Sequence, residues 1–171
     1  MEELRYTKQQ IRNIAEGVLE RYGYDTFPLE VVELAEAIGL KVYDATFGRD
    51  DVSGMLKAQE RAIYICQNDS NVRQRFSIAH ELGHYVLHFR GNVFEGRDKV
   101  EHTSYRDTLS SLGFSVKEVE ANYFAANLLM PKKEVERLYR QNYSVEKMAS
   151  YFVVSKAAMG YRLESLELGY E

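Results

Sequence analysis

A chain of 171 residues suits one compact domain of mixed architecture with room for a small appendage. Its 45% apolar and 28% charged residues are ordinary for a soluble globular protein that builds its core without disulfides. A net charge of −4 gives no electrostatic ground for a nucleic-acid or membrane partner.

The N-terminal stretch Met1-Glu2-Glu3-Leu4-Arg5-Tyr6 is charged and lacks the apolar core of a signal peptide. No window approaches 18 uninterrupted apolar residues, so a cytoplasmic protein is expected. Residues 8–22 read as a first helix with Ile11, Ile14, Ala15, Val18 and Leu19 on one face, Thr7 as N-cap and Gly23 as stop. Pro28 suits the first turn of a second helix, about 28–38, that ends at Gly39. Strand signals follow at Leu40–Tyr43, Ser53–Lys57 and Ala62–Cys66, the last two read as a hairpin. Together they predict a small sheet of three strands or so.

Asn68-Asp69-Ser70-Asn71 is a capping cluster before a long helix from about 71 to 89. Residues 90–105 are polar, contain Gly91 and Gly96, and read as a loop; a short helix is expected over 106–112. A firm helix spans about 116–130 and stops before Pro131, and residues 132–168 read as two or three short helices. Helices, sheet, then helices make an α+β arrangement. The expected division is a core over 1–131 and a helical C-terminal subdomain over 132–171.

Cys66 is the single cysteine, which excludes an internal disulfide and a thiolate-rich zinc site and fits a reducing compartment. It ends an apolar strand and reads as a buried residue. The chemistry lies instead in His80-Glu81-Leu82-Gly83-His84. Histidines four apart lie about 40° apart around a helix axis and one turn apart along it, so both imidazoles reach one ion. Glu81 projects near the open coordination position, where a carboxylate takes a proton from water. The motif sits within an apolar-periodic helix directly after the sheet. Gly83 in a helix interior costs roughly 1 kcal/mol relative to Ala, a cost explained if another helix or a substrate approaches closely there.

A catalytic zinc needs a third protein ligand. Geometry argues against His88, because across eight residues an unbroken helix rises about 12 Å and turns about 80° from His80. His88 reads as a structural residue or one that supports the ligands, and His102 as a weaker loop candidate. Glu118 and Glu120 both qualify by type. Glu120 shares a stripe with Val116, Phe124 and Leu128, so it faces inward, where a carboxylate is costly unless paired or metal-bound. Glu118 sits near the helix start, where a solvated carboxylate is favoured by the helix dipole. The helical-face argument favours Glu120 over Glu118 as the third ligand.

The blocks Arg75-Phe76-Ser77-Ile78-Ala79-His80-Glu81-Leu82-Gly83-His84 and Glu120-Ala121-Asn122-Tyr123-Phe124-Ala125-Ala126-Asn127-Leu128-Leu129-Met130-Pro131 together resemble the ImmA/IrrE family of bacterial and phage metallopeptidases. The resemblance extends from the second helix to Leu163, most of the chain. It implies a zincin-like, gluzincin-type core holding one Zn2+ on His80, His84 and Glu120, with Glu81 as catalytic base. It also implies an endopeptidase that relieves repression by cleaving, or otherwise inactivating, a helix-turn-helix repressor. The motif begins too early for a fused repressor domain, so the substrate is expected in trans. A second oxyanion donor is needed, and Tyr85, Tyr105, Arg75 and His102 are the candidates. The alternative is a non-cleaving regulator, an anti-repressor or toxin–antitoxin component, in which zinc is structural.

Residues 144–163 have a helix-turn-helix look of their own. From 144 to 171, Lys147, Lys156 and Arg162 stand against Glu146, Glu164, Glu167 and Glu171, net −1, so phosphate affinity is poor. Protein docking or core packing is expected there.

Overall fold

The computed structural model describes residues 5–90, the backbone of 101–105, and residues 115–169. The first helix, α1 (Lys8–Tyr22), opens on a capping box in which Thr7 and Gln10 satisfy each other's backbone N–H groups. Helix α2 (Val31–Ile38) starts three residues later than the sequence suggests. Pro28 lies in the connection before it, with a cis Phe27–Pro28 bond, rather than in its first turn. Gly23 and Gly39 close the two helices at φ of 73° and 105°, left-handed conformations that a side chain disfavours.

Strands β1 (Lys41–Ala45), β2 (Val52–Lys57) and β3 (Ala62–Cys66) follow as expected. A fourth strand, β4 (Glu101–Tyr105), completes a sheet of order β1-β3-β2-β4. β1 runs parallel to β3, whereas β2 is antiparallel to both β3 and β4. The loop expected over 90–105 is therefore corrected at its end. Glu-His-Thr-Ser-Tyr carries no apolar alternation, and backbone pairing to β2 makes the strand. Residues 91–100 and the helix expected at 106–112 lie outside the described residues.

Helix α3 (Asn71–His84), capped by Ser70, packs on β2 and β3 and passes into a π-helical turn over Tyr85–Phe89. Helix α4 (Val116–Leu129), capped by Ser115, lies against both α3 and α1. Three short helices, α5 (Lys132–Arg140), α6 (Val145–Phe152) and α7 (Lys156–Ser165), complete the chain. One apolar cluster runs from Ile11 and Leu34 through Ile63, Leu82 and Leu128 to Phe152 and Leu163, so α6 and α7 share the core of the preceding helices. Buried Arg162 on α7 reinforces this by donating to the Met130 carbonyl and to Asn127 Oδ1, both at 2.9 Å. Cys66 is buried and takes part in no disulfide within the chain. None of the described helices is long and apolar enough to cross a membrane.

Candidate metal centre

The site forms where α3 and α4 cross. Their close approach is possible because Gly83 has no side chain. A Cβ there would lie 3.1 Å from the Cα and the carbonyl oxygen of Ala121 and from Cδ1 of Phe124. The glycine expected to admit a close neighbour therefore admits the backbone of α4. Ala121 faces it, and Glu118 and Asn122 project from the same side of α4 toward the histidines.

His80, His84 and Glu118 each present a donor atom, all within 4.8 Å of one another. His80 Nε2 lies 3.1 Å from Glu118 Oε2 and 3.1 Å from His84 Nε2, which is itself 3.0 Å from Glu118 Oε1. Both histidines are buried, and Glu118, with 18% of its side chain exposed, is where the cluster meets solvent. Asn122 Oδ1 stands 2.8 Å from His80 Nδ1. That oxygen accepts only, so Nδ1 carries the proton and Nε2 presents its lone pair inward.

This donor set fits a divalent ion. Ligand bonds of about 2.0–2.2 Å around a tetrahedral zinc put neighbouring donors about 3.3–3.5 Å apart, a few tenths of an ångström beyond the spacing seen. Two imidazole lone pairs and a carboxylate converging in a buried space are also costly unless something positive lies among them. Glu81 follows His80 on α3 and is buried.

Glu120 does not join the pair, which corrects the expected ligand set. It is buried as the stripe with Phe124 and Leu128 requires, but its partners are different. Oε1 accepts the Tyr6 N–H at 3.0 Å and Oε2 lies 2.8 Å from His88 Nε2. Glu118 reaches the histidines instead because it shares the α3-facing side of α4 with Ala121 and Asn122, at i+3 and i+4. That row of small and polar residues opposite Gly83 was the available signal. His88, disfavoured as a ligand, lies with Nδ1 3.1 Å from His84 Nδ1. Burial holds its imidazole below the usual histidine value, against the opposing pull of Glu120.

The other candidates divide. Arg75 points away from the site. Its guanidinium donates to the carbonyls of Leu29 (2.8 Å), Phe152 and Val153 (both 3.3 Å), tying α3 to the end of α6. Tyr85 lies buried within the apolar core. His102 and Tyr105 occupy β4, where their side chains lie outside the described residues.

Residues 35–164 match a peptidase-family model described as the IrrE N-terminal-like domain. The chain is 28% identical over 173 residues to metallopeptidase ImmA of Bacillus subtilis, covering 94% of this chain and 88% of that one. It is 31% identical over 120 residues to an uncharacterized immunity region protein of Bacillus phage phi105, covering 68% of each. A solved Mycobacterium tuberculosis transcriptional regulator shares the fold at a TM-score of 0.67 and 18% identity. The match covers 91% of this chain and 46% of that one.

Proposed function

The chain belongs to the ImmA/IrrE family of metallopeptidases, and on that premise we propose that it is a zinc-dependent endopeptidase acting on one specific protein partner. The observation that carries the proposal is the convergence of His80 Nε2, His84 Nε2 and the Glu118 carboxylate, with Glu81 on the same helix as the two histidines. His80, His84 and Glu118 would hold the ion. When bound, zinc supplies Lewis acidity, acidifying water and polarising a peptide carbonyl.

The chain's own groups do the rest. Asn122 fixes the His80 tautomer so that its inward nitrogen stays unprotonated. Glu81 accepts a proton as water adds to the scissile carbonyl and returns it to the departing amine. Of the candidates for oxyanion stabilisation, Arg75 and Tyr85 are otherwise engaged, and His102 and Tyr105 belong to β4, a strand beside α3.

The substrate we favour is a helix-turn-helix repressor in trans, a reading supported by the likeness to a phage immunity-region protein. The C-terminal helices from residue 132 onward serve partner docking or packing rather than DNA binding, since the segment from 144 to 171 carries a net charge of −1. Zinc-loaded protein incubated with the repressor encoded beside its gene should cut it at a defined site. Glu81→Gln should keep the zinc and lose about 10²–10⁴-fold in rate. Full derepression in cells by Glu81→Gln would instead establish a non-cleaving regulator.

A further inference from the structure

The π-helical turn after the motif does more than end a helix. It carries the i→i+5 bond from the Arg90 N–H to the Tyr85 carbonyl, although the sequence Tyr85-Val86-Leu87-His88-Phe89 contains no glycine or proline. On this wider turn the His88 ring lies against the face of the site that points away from Glu118. Its two nitrogens bridge His84 Nδ1 (3.1 Å) and Glu120 Oε2 (2.8 Å). The His88 and Glu120 side chains are both fully buried. Tyr6 clamps the arrangement from α1's approach: its N–H donates to Glu120 Oε1 at 3.0 Å and its hydroxyl to the Leu87 carbonyl at 3.1 Å.

Proton bookkeeping gives this chain one direction. Glu120 as a carboxylate only accepts, so His88 Nε2 carries a proton toward it. A neutral His88 then has a bare Nδ1, which can only accept from His84 Nδ1. His84 with its proton on Nδ1 has its lone pair on Nε2, the atom that faces His80 Nε2 and Glu118. Asn122 imposes the same tautomer on His80 from the other side.

We propose that His88 and Glu120 are positioning residues that lock His84 into its Nδ1–H tautomer and orient its Nε2 for the ion. The inference rests on the metal-centre reading above. It also accounts for two features left over from that reading. One is a carboxylate buried one helical turn from Phe124 that does not reach the ion. The other is a π turn immediately after the second ligand. A ring held by a hydrogen bond through its far nitrogen binds metal about 10–100-fold more tightly than one left to rotate.

The test is a zinc competition titration against a chromophoric chelator, run on wild type, His80→Ala, His88→Leu and His88→Gln. Melting of the zinc-free proteins is followed in parallel. Histidine 15N–1H correlation spectra of zinc-loaded wild type complete it. With four histidines in the chain, those spectra are simple to assign. The expected result is a 10–100-fold weaker affinity in His88→Leu. His88→Gln should recover most of it, because its amide oxygen accepts from His84 and its amide N–H donates to Glu120. The spectra should show protons on Nδ1 of His84 and Nε2 of His88. A His88 proton found on Nδ1 would overturn the proposal whether or not any variant folds. So would a folded His88→Leu with wild-type affinity, or a His88→Gln no better than His88→Leu. Wild-type binding no tighter than that of His80→Ala would defeat the metal centre itself and this inference with it.

Discussion

Replacing Gly83 with alanine separates helix propensity from packing, because the two effects have opposite signs. Alanine is about 1 kcal/mol better than glycine in a helix interior, so an isolated α3 would gain. In the folded chain the new Cβ meets two backbone atoms of Ala121 and the Phe124 ring, all at 3.1 Å. Backbone cannot swing aside as a flexible side chain does, so α4 must retreat by a few tenths of an ångström. Overpacking of this kind costs about 1–3 kcal/mol. The expected net is a loss of about 1 kcal/mol, or a melting temperature lower by about 2–4 °C for a domain of this size. Glu118 and Asn122 lie on the retreating face, so zinc affinity should fall as well. Thermal melting of the zinc-free protein, followed by a zinc titration, reads both. A Gly83→Ala protein that melts higher by 2–4 °C and binds zinc normally would refute the close-approach argument.

Arg75→Ala should destabilise by about 2–4 kcal/mol, since three carbonyls lose charged donors, while turnover per folded molecule stays unchanged. A drop in turnover with unchanged melting would return Arg75 to the oxyanion role. Glu134 is held below its ordinary value of 4.5 by the hydrogen bond from Arg137, aided by Tyr151 and opposed by burial. A carboxylate depressed in the folded state contributes stability above pH 4.5 that is lost as the pH falls below it, because the unfolded chain takes up the proton first. Melting temperature plotted against pH should therefore fall less steeply on the acid side in Glu134→Gln than in wild type.

Much of the scaffold was legible because its signals are local. Thr7, Ser70 and Ser115 mark helix starts through side chains that accept N–H groups within the next turn. Ala62–Cys66 announces a buried strand by its apolar run. β4 was missed because its polar residues owe their conformation to pairing with β2, a partner about 50 positions away in sequence. The π turn was missed because Tyr85–Phe89 holds no helix breaker, so straight-helix geometry was assumed for His88.

At the site, burial of Glu120 was read correctly and its cause was not. A buried carboxylate needs a partner, and sequence periodicity cannot tell an ion from a histidine and a backbone N–H. Glu118 was discounted as a helix-start carboxylate, although Ala121 and Asn122 on its own row faced the glycine of the motif. His80, Glu81 and His84 could be singled out from the sequence because one helix carries all three. The third donor depends on how two helices cross, which no single segment encodes.

The most direct test of the metal centre is metal content by mass spectrometry after zinc loading and desalting, comparing Glu118→Ala with Glu120→Gln. Bound zinc should approach one equivalent in wild type, largely remain in Glu120→Gln, and disappear in Glu118→Ala. Zinc retained by Glu118→Ala and lost from Glu120→Gln would contradict the geometry on which the proposed chemistry stands.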